Sequence, residues 1–167
     1  EVGTIEQINV TPIKKYQFIL GKLIPFWILG LIVLSIGLLI SWVVYGITPV
    51  GSMVTIYLFA AVYLLAVLGL GLLMSTVTGT QQQAMLLAFF IMMIFILLGG
   101  LFTSIDSMPM WAQVFTKFNP VSYFIDVMRM VVLKGSDLYD IRFHLLKVFA
   151  IAVVLNTLAT ISYRKRS

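Results

Sequence analysis

His144 is the only imidazole in the chain, and no cysteine accompanies it. A metal centre needs several ligands converging on one point, so none is expected. One histidine beside the start of an apolar run does not assemble a Ser/His/Asp set either. Gly21-Lys22-Leu23 fails as a P-loop, because the earlier glycine and the Ser/Thr after the lysine are both missing. The carboxylates are Glu1, Glu6, Asp106, Asp126, Asp137 and Asp140, and no acid/base pair for intramembrane catalysis emerges from them. No charged residue occurs between Lys22 and Asp106. Transporters driven by protons or ions usually bury an ionisable group at depth. If this chain moves a cargo, the free energy must therefore come from elsewhere. The chain is expected not to be an enzyme and to bind no cofactor and no metal itself.

The same charge-free run dictates the elements around these residues. Hydrophobic residues make up 61% of the chain and charged ones 10%, against roughly 45–50% and 25% in soluble domains. An integral membrane protein follows. The net charge of +5 is no nucleic-acid footprint. Lys14, Lys15 and Lys22 precede the first span, and Arg164, Lys165 and Arg166 close the chain, so both clusters read as membrane-flanking anchors.

Four spans are expected: Leu23 to Tyr45, Met53 to about Thr76, Ala84 to Phe102, and about Leu145 to Tyr163. In the first, Pro25 is placed in the opening turn, Trp27, Trp42 and Tyr45 near the ends, and Gly30 and Gly37 on one face open to a neighbour. Ala60, Ala61, Ala66, Gly69 and Gly71 make the second rich in small residues, which reads as helix packing ahead of a substrate path. Residues 76–83 form the next turn, whose Gln81, Gln82 and Gln83 would line a cavity mouth if the spans enclose one. Met85, Met92 and Met93 suit packing in the third span better than a binding stripe.

Residues 103–140 differ in kind. Ser107-Met108-Pro109 opens a short helix reaching about Lys117, and Asn119-Pro120 opens a second that Gly135 closes. Trp111, Val114, Phe115 and Phe118 mark an apolar face on the first. Val121, Phe124, Ile125, Met128, Val131 and Val132 do so on the second. Neither helix can cross a core of about 30 Å, and both are too apolar for water. A pair dipping into the bilayer from one side and turning back fits best. Asp126 and Arg129, three apart, either pair on a half-buried helix face or form an exposed surface pair. Asp137 and Asp140 mark the water boundary, Lys147 snorkels at the entrance of the last span, and His144 is interfacial.

At the other end, Thr4 and Gln7 form a capping box that starts a short helix at Ile5, with Val2, Ile5 and Ile8 along one apolar edge. Thr11-Pro12 then restarts the chain. This elbow is either an interfacial helix setting the entry angle of the first span or a docking surface for a soluble partner.

Glu1-x-Gly3-Thr4-x-Glu6-Gln7-x-x-Val10-Thr11-Pro12, followed by Gly21-Lys22 and a span, resembles the cytoplasmic elbow of type-two ABC exporter permeases. Met108-Pro109, then Asn119-Pro120-x-x-Tyr123 and Arg129 ending at Gly135, resembles the re-entrant segment before that family's last span. The resemblance covers essentially the whole chain. It implies an all-α membrane protein with four transmembrane helices, the C-terminal four of the family's six. Residues 1–22 would be the coupling elbow, 23–102 three spans, 103–140 the re-entrant pair, and 141–167 the last span with its basic tail. The chain starts in mid-element at Glu1, so a fragment lacking the first two spans, and any extracytoplasmic domain between them, is expected.

The resemblance also implies a role. The chain would be a permease subunit of an exporter built from two permease copies, identical or not, and two ATP-binding subunits in the bacterial inner membrane. ATP would bind on the partner chain. Gly3, Thr4, Glu6, Gln7 and Pro12 would form the ATPase-coupling interface. Pro109, Asn119, Pro120, Tyr123, Asp126, Arg129 and Gly135 would shape the outer gate. The elbow's form most resembles the multidrug branch. Cytoplasmic termini follow from weighting the cations that abut span ends. Membrane lipid is a further partner, and nucleic acid is not. The alternative is a non-transporting membrane scaffold or assembly subunit.

Overall fold

A computed structural model describes residues 15–165, with side chains described over 21–162. All secondary structure among the described residues is helical. The elements are α1 (Lys15–Tyr45), α2 (Met53–Val77), α3 (Gln81–Leu97), a 3-10 turn (Ile105–Ser107), α4 (Met110–Thr116), α5 (Pro120–Met128) continued by a π turn (Arg129–Leu133), and α6 (Leu138–Lys165). Three stretches of 25 residues are long and apolar enough to cross a membrane: Gly21–Tyr45, Met53–Val77 and Leu138–Ser162.

α2 is the hub, packing along α6 most extensively and also touching α1, α3 and α5. The core is one seam of α2 residues Ile56, Phe59 and Ala66, α5 and π-turn residues Val127 and Val131, and α6 residues Ile141, Val148 and Ala152. Small residues on α2 let the neighbours come close, as expected. Ala60, Ala66 and Gly69 are buried, whereas Gly71 opens to free space. On α1, a Cβ at Gly30 would lie 2.6 Å from a Leu64 methyl, so that glycine does admit α2; Gly37 faces nothing.

Polar atoms tie the long helices at membrane depth. Trp27 Nε1 donates to the Ala61 carbonyl (2.9 Å), so this indole joins α1 to α2. The Ser35 and Tyr57 hydroxyls meet at 2.6 Å. The Asn156 amide donates to the Leu65 carbonyl (3.0 Å) and to its own helix at Ala152 (2.8 Å). It sits directly over Gly69, where a Cβ would lie 2.5 Å from its nitrogen.

Helix bounds correct the expected spans. α1 is already helical at Lys15, so Pro25 is an internal proline, not one in the first turn. Its missing N–H leaves a carbonyl of the preceding turn without its helical donor. The turn before α3 is shorter than residues 76–83. Thr80 caps the helix by accepting from the Gln83 N–H (3.3 Å), and the Gln83 side chain accepts from the Gly79 N–H (3.2 Å). This reciprocal arrangement draws Gln81, Gln82 and Gln83 into the helix. At the far end α3 stops at Leu97, not Phe102, because Gly100 takes φ 83°. Its 17 residues reach about 25 Å at roughly 1.5 Å each.

α6 begins at Leu138, seven residues before the expected Leu145. The Asp140 carboxylate accepts from the Asp137 N–H (3.1 Å), starting the helix and placing a negative charge at its N-terminus. Arg142, His144 and Lys147 consequently ride on the first turns of α6. The apolar face marked on α4 turns away from the rest of the protein. Trp111, Val114, Phe115 and Phe118 point outward, and the small Ala112 and Thr116 make the buried contact.

Two variants probe the Asn156–Gly69 seat. Asn156→Leu is expected to lower stability by about 0.6–2 kcal/mol, the range for interhelical hydrogen bonds in membranes. Gly69→Ala should destabilise as well, and Asn156→Ala should restore much of that loss by vacating the space. A double-mutant cycle on thermal unfolding in detergent checks this, with a non-additive result expected.

Candidate functional site

Where α3 stops, its last carbonyls lose their helical donors. A side chain from the following segment supplies one replacement, and a second serves the turn just beyond the helix. Asn119, fully buried, donates its amide to the Phe95 carbonyl (2.8 Å). Its oxygen accepts from the Val121 N–H (3.0 Å). One amide thus closes the end of α3 and caps the start of α5, with Pro120 in the first helical position. Ten residues on, the Arg129 guanidinium donates to the Gly100 carbonyl (3.0 Å) and approaches that of Leu101 (3.5 Å).

Of the expected gate residues, Asn119, Pro120, Tyr123, Asp126 and Arg129 gather on α5 and its continuation. Pro109 stands apart as the residue before α4. There the Gln113 amide ties back to the Met108 carbonyl (2.8 Å). Tyr123 donates its hydroxyl to the Lys117 carbonyl (2.9 Å), bracing α5 against the connection from α4. The Lys147 ammonium lies 5.6 Å from the centre of the Tyr123 ring, and the His144 ring meets that ring edge-on at 6.1 Å. His144 Nδ1 is buried and makes no hydrogen bond within the protein. Gly135, at φ 70°, ends the π turn as a left-handed residue.

Asp126 and Arg129 do not behave as a simple pair. Arg129 serves the backbone carbonyls leaving α3, and Asp126 feels it as a nearby positive charge. Burial raises the Asp126 pKa above the ordinary carboxylate range; the charges of His144 and Arg129 pull it down, and Asp106 pushes it up again. Half-buried and net destabilised as an anion, Asp126 is the electrostatically costly member of the group.

A contact the residue pattern did not announce joins this segment to the α1–α2 loop. The N–H groups of Val50 and Gly51 donate to the carbonyls of Val132 (3.1 Å) and Val131 (3.0 Å). Both carbonyls lie in the π turn. The signal in the sequence was Gly51, which reads equally well as a turn glycine. The elbow residues Gly3, Thr4, Glu6, Gln7 and Pro12 lie outside the described residues. Among the described residues no cluster of three or more potential metal ligands occurs.

Long apolar helices locked to a capped short-helix segment define a multi-pass helical membrane protein, not a soluble bundle with a greasy surface. The family of ABC-2 transporter proteins matches residues 1–161, and the chain belongs to that family. It is 32% identical over 166 residues to the probable multidrug ABC transporter permease YbhR of Escherichia coli K12, covering 99% of this chain and 45% of YbhR. It is 31% identical over 169 residues to the probable multidrug ABC transporter permease YbhS of the same organism, covering 99% and 44%. Against the inner membrane transport permease YhhJ the identity is 28%, with the same shares covered. The chain therefore spans a little under half the length of these relatives. No solved structure matches it.

Asn119→Ala strands a buried carbonyl and a buried N–H together, and a loss of about 1–3 kcal/mol is expected. Asp126→Asn is expected to be neutral or stabilising. Because folding raises the Asp126 pKa, the folded state holds its proton more tightly. The Asp126 contribution to stability is then fully present below the ordinary aspartate value and is lost as pH rises through the raised folded value. Unfolding curves between acid and neutral pH check both points: the Asp126→Asn curve should lack that decline.

Proposed function

We propose that this chain is a membrane-spanning portion of a permease subunit in an ATP-driven exporter. The observation that carries the reading is the ABC-2 family match across residues 1–161, with permeases as its relatives. The absence of any charged residue between Lys22 and Asp106 supports it, since no titratable group is placed to harvest an ion gradient there. ATP is hydrolysed on a separate ATP-binding subunit, a second permease copy completes the pathway, and the assembly lies in the inner membrane with cytoplasmic termini. The names of YbhR and YbhS favour multidrug-type cargo.

In this reading the chain crosses four times. α3, with the turns after Leu97, returns the chain from the far end of α2, and its short helical length is made up by the residues that Asn119 and Arg129 hold. Support comes from hydrogen bonding: the α1–α2 loop is bonded to the π turn and the end of α3 is bonded to α5, so both belong with one membrane face. α4 and α5 form the re-entrant pair on the outer side, with Asn119, Pro120, Tyr123, Asp126, Arg129 and Gly135 setting the gate's bends and Pro109 its entrance. Residues 1–22 form the elbow that receives the stroke, with Gly3, Thr4, Glu6, Gln7 and Pro12 against the ATPase.

The test uses the full-length protein. An ATP-binding subunit should co-purify, and photo-crosslinkers at Thr4 or Gln7 should capture it. Glu6→Ala should leave membrane insertion and ATP hydrolysis in place while transport is lost. Crosslinks to lipid alone, or unchanged transport in Glu6→Ala, would count against the coupling elbow; a permease that never recovers an ATPase would count for a scaffold.

A further inference from the structure

A π turn misaligns the helical ladder and frees carbonyls that an α-helix would keep. In this chain that turn spans Arg129–Leu133, and two of its carbonyls are taken by the α1–α2 loop through Val50 and Gly51. The fit is tight from both sides. A Cβ at Gly51 would come within 2.8 Å of both a Val131 methyl and the Val131 carbonyl oxygen, and within 3.2 Å of the Ser136 carbonyl. A Cβ at Gly135 would meet a Val50 methyl at 3.0 Å. At Gly51 two of the three nearest atoms are backbone oxygens, and at both glycines the side chain in the way is a stiff β-branched valine. Arg129, at the other edge of the same turn, holds the Gly100 carbonyl. The π turn is thus gripped by the α1–α2 loop and by the exit of α3 together.

We propose that Val50 and Gly51 are positioning residues that make the α1–α2 loop a strut. α1 and the re-entrant segment move as one body, so displacement of α1 by the elbow arrives at Arg129, Asp126 and Tyr123 without a slack joint. The proposal rests on the export reading and adds to it the route by which motion at the inner face reaches the outer one. The turn itself, not a side chain of α4 or α5, is the point where force enters the gate.

Val50→Cys with Gly135→Cys, in the full-length permease with other cysteines replaced and its ATPase partner present, tests the strut. A Cβ on Gly135 lies 3.6 Å from that of Val50, inside the range of about 3.5–4.5 Å for disulfides. The pair should crosslink on mild oxidation in native membranes, and the oxidised transporter should keep transporting. Failure to crosslink overturns the strut, as does transport that stops on oxidation and returns with reductant, because the contact would then have to open in each cycle. Gly51→Ala should push the loop off the turn. Cargo moved per ATP should fall by roughly tenfold, within the about 5–150-fold typical of coupled sites, while hydrolysis continues. An unchanged ratio overturns the proposal; should Gly51→Ala fail to fold, the crosslink decides. Wild-type protein with no ATP-dependent transport sinks the export reading instead, and crosslink yield, which needs no transport, separates the two failures.

Discussion

A carbonyl at the end of a helix must find a new donor, and at Phe95 the packing of α5 on α3 depends on the side chain that supplies it. Asn119 does so from the start of α5, and the same amide oxygen receives the Val121 N–H. One buried side chain thereby sets the distance between two helices and begins one of them. Arg129 does the same for the turn beyond α3, donating to the Gly100 carbonyl and approaching that of Leu101. Helix α3 is allowed to stop early because Asn119 reaches its last turn and Arg129 the residues just past it.

The long helices are held by a different economy. Apolar side chains gain little by leaving lipid for one another, so specificity falls to close approach and to polar contacts. Gly30 beneath Leu64 and Gly69 beneath Asn156 provide the first; Trp27, Ser35 with Tyr57, and Asn156 provide the second. They act at different heights on α2 and fix its rotation toward α1 on one side and α6 on the other. The remaining faces of α1 and α3 carry large apolar side chains outward, which suits acyl chains or neighbouring subunits.

Much of this was legible in residue types. The Asn119-Pro120 cap, the glycine stop at Gly135, the Met53 start and the packing role of Ala60 and Ala66 follow from local chemistry that tertiary context did not override. The errors share a cause. Thr80 with Gln83, and Asp137 with Asp140, are caps hidden in stretches that hydropathy assigns to loops, so α3 and α6 start earlier than an apolar count suggests. The direction of the α4 face stays open at the level of sequence, because an aromatic stripe marks an apolar environment without saying whether protein or lipid supplies it. Arg129 was read against its sequence neighbour Asp126, whereas its partners are 28 and 29 positions away on the α3 exit, beyond the reach of any spacing rule. The elbow lies outside the described residues, so its roles rest on motif likeness.

The seam between α2 and α6 has a bearing on biogenesis. Leu65 and Asn156 are 91 positions apart, and Ile141, Val148 and Ala152 complete a core whose other half emerges from the ribosome much earlier. A nascent α2 must therefore wait with the Gly69 notch unfilled until α6 is threaded. During that interval small-residue surfaces are open to whichever span lies nearest. Fidelity of assembly then depends on keeping α2 apart from foreign helices until α6 has been made.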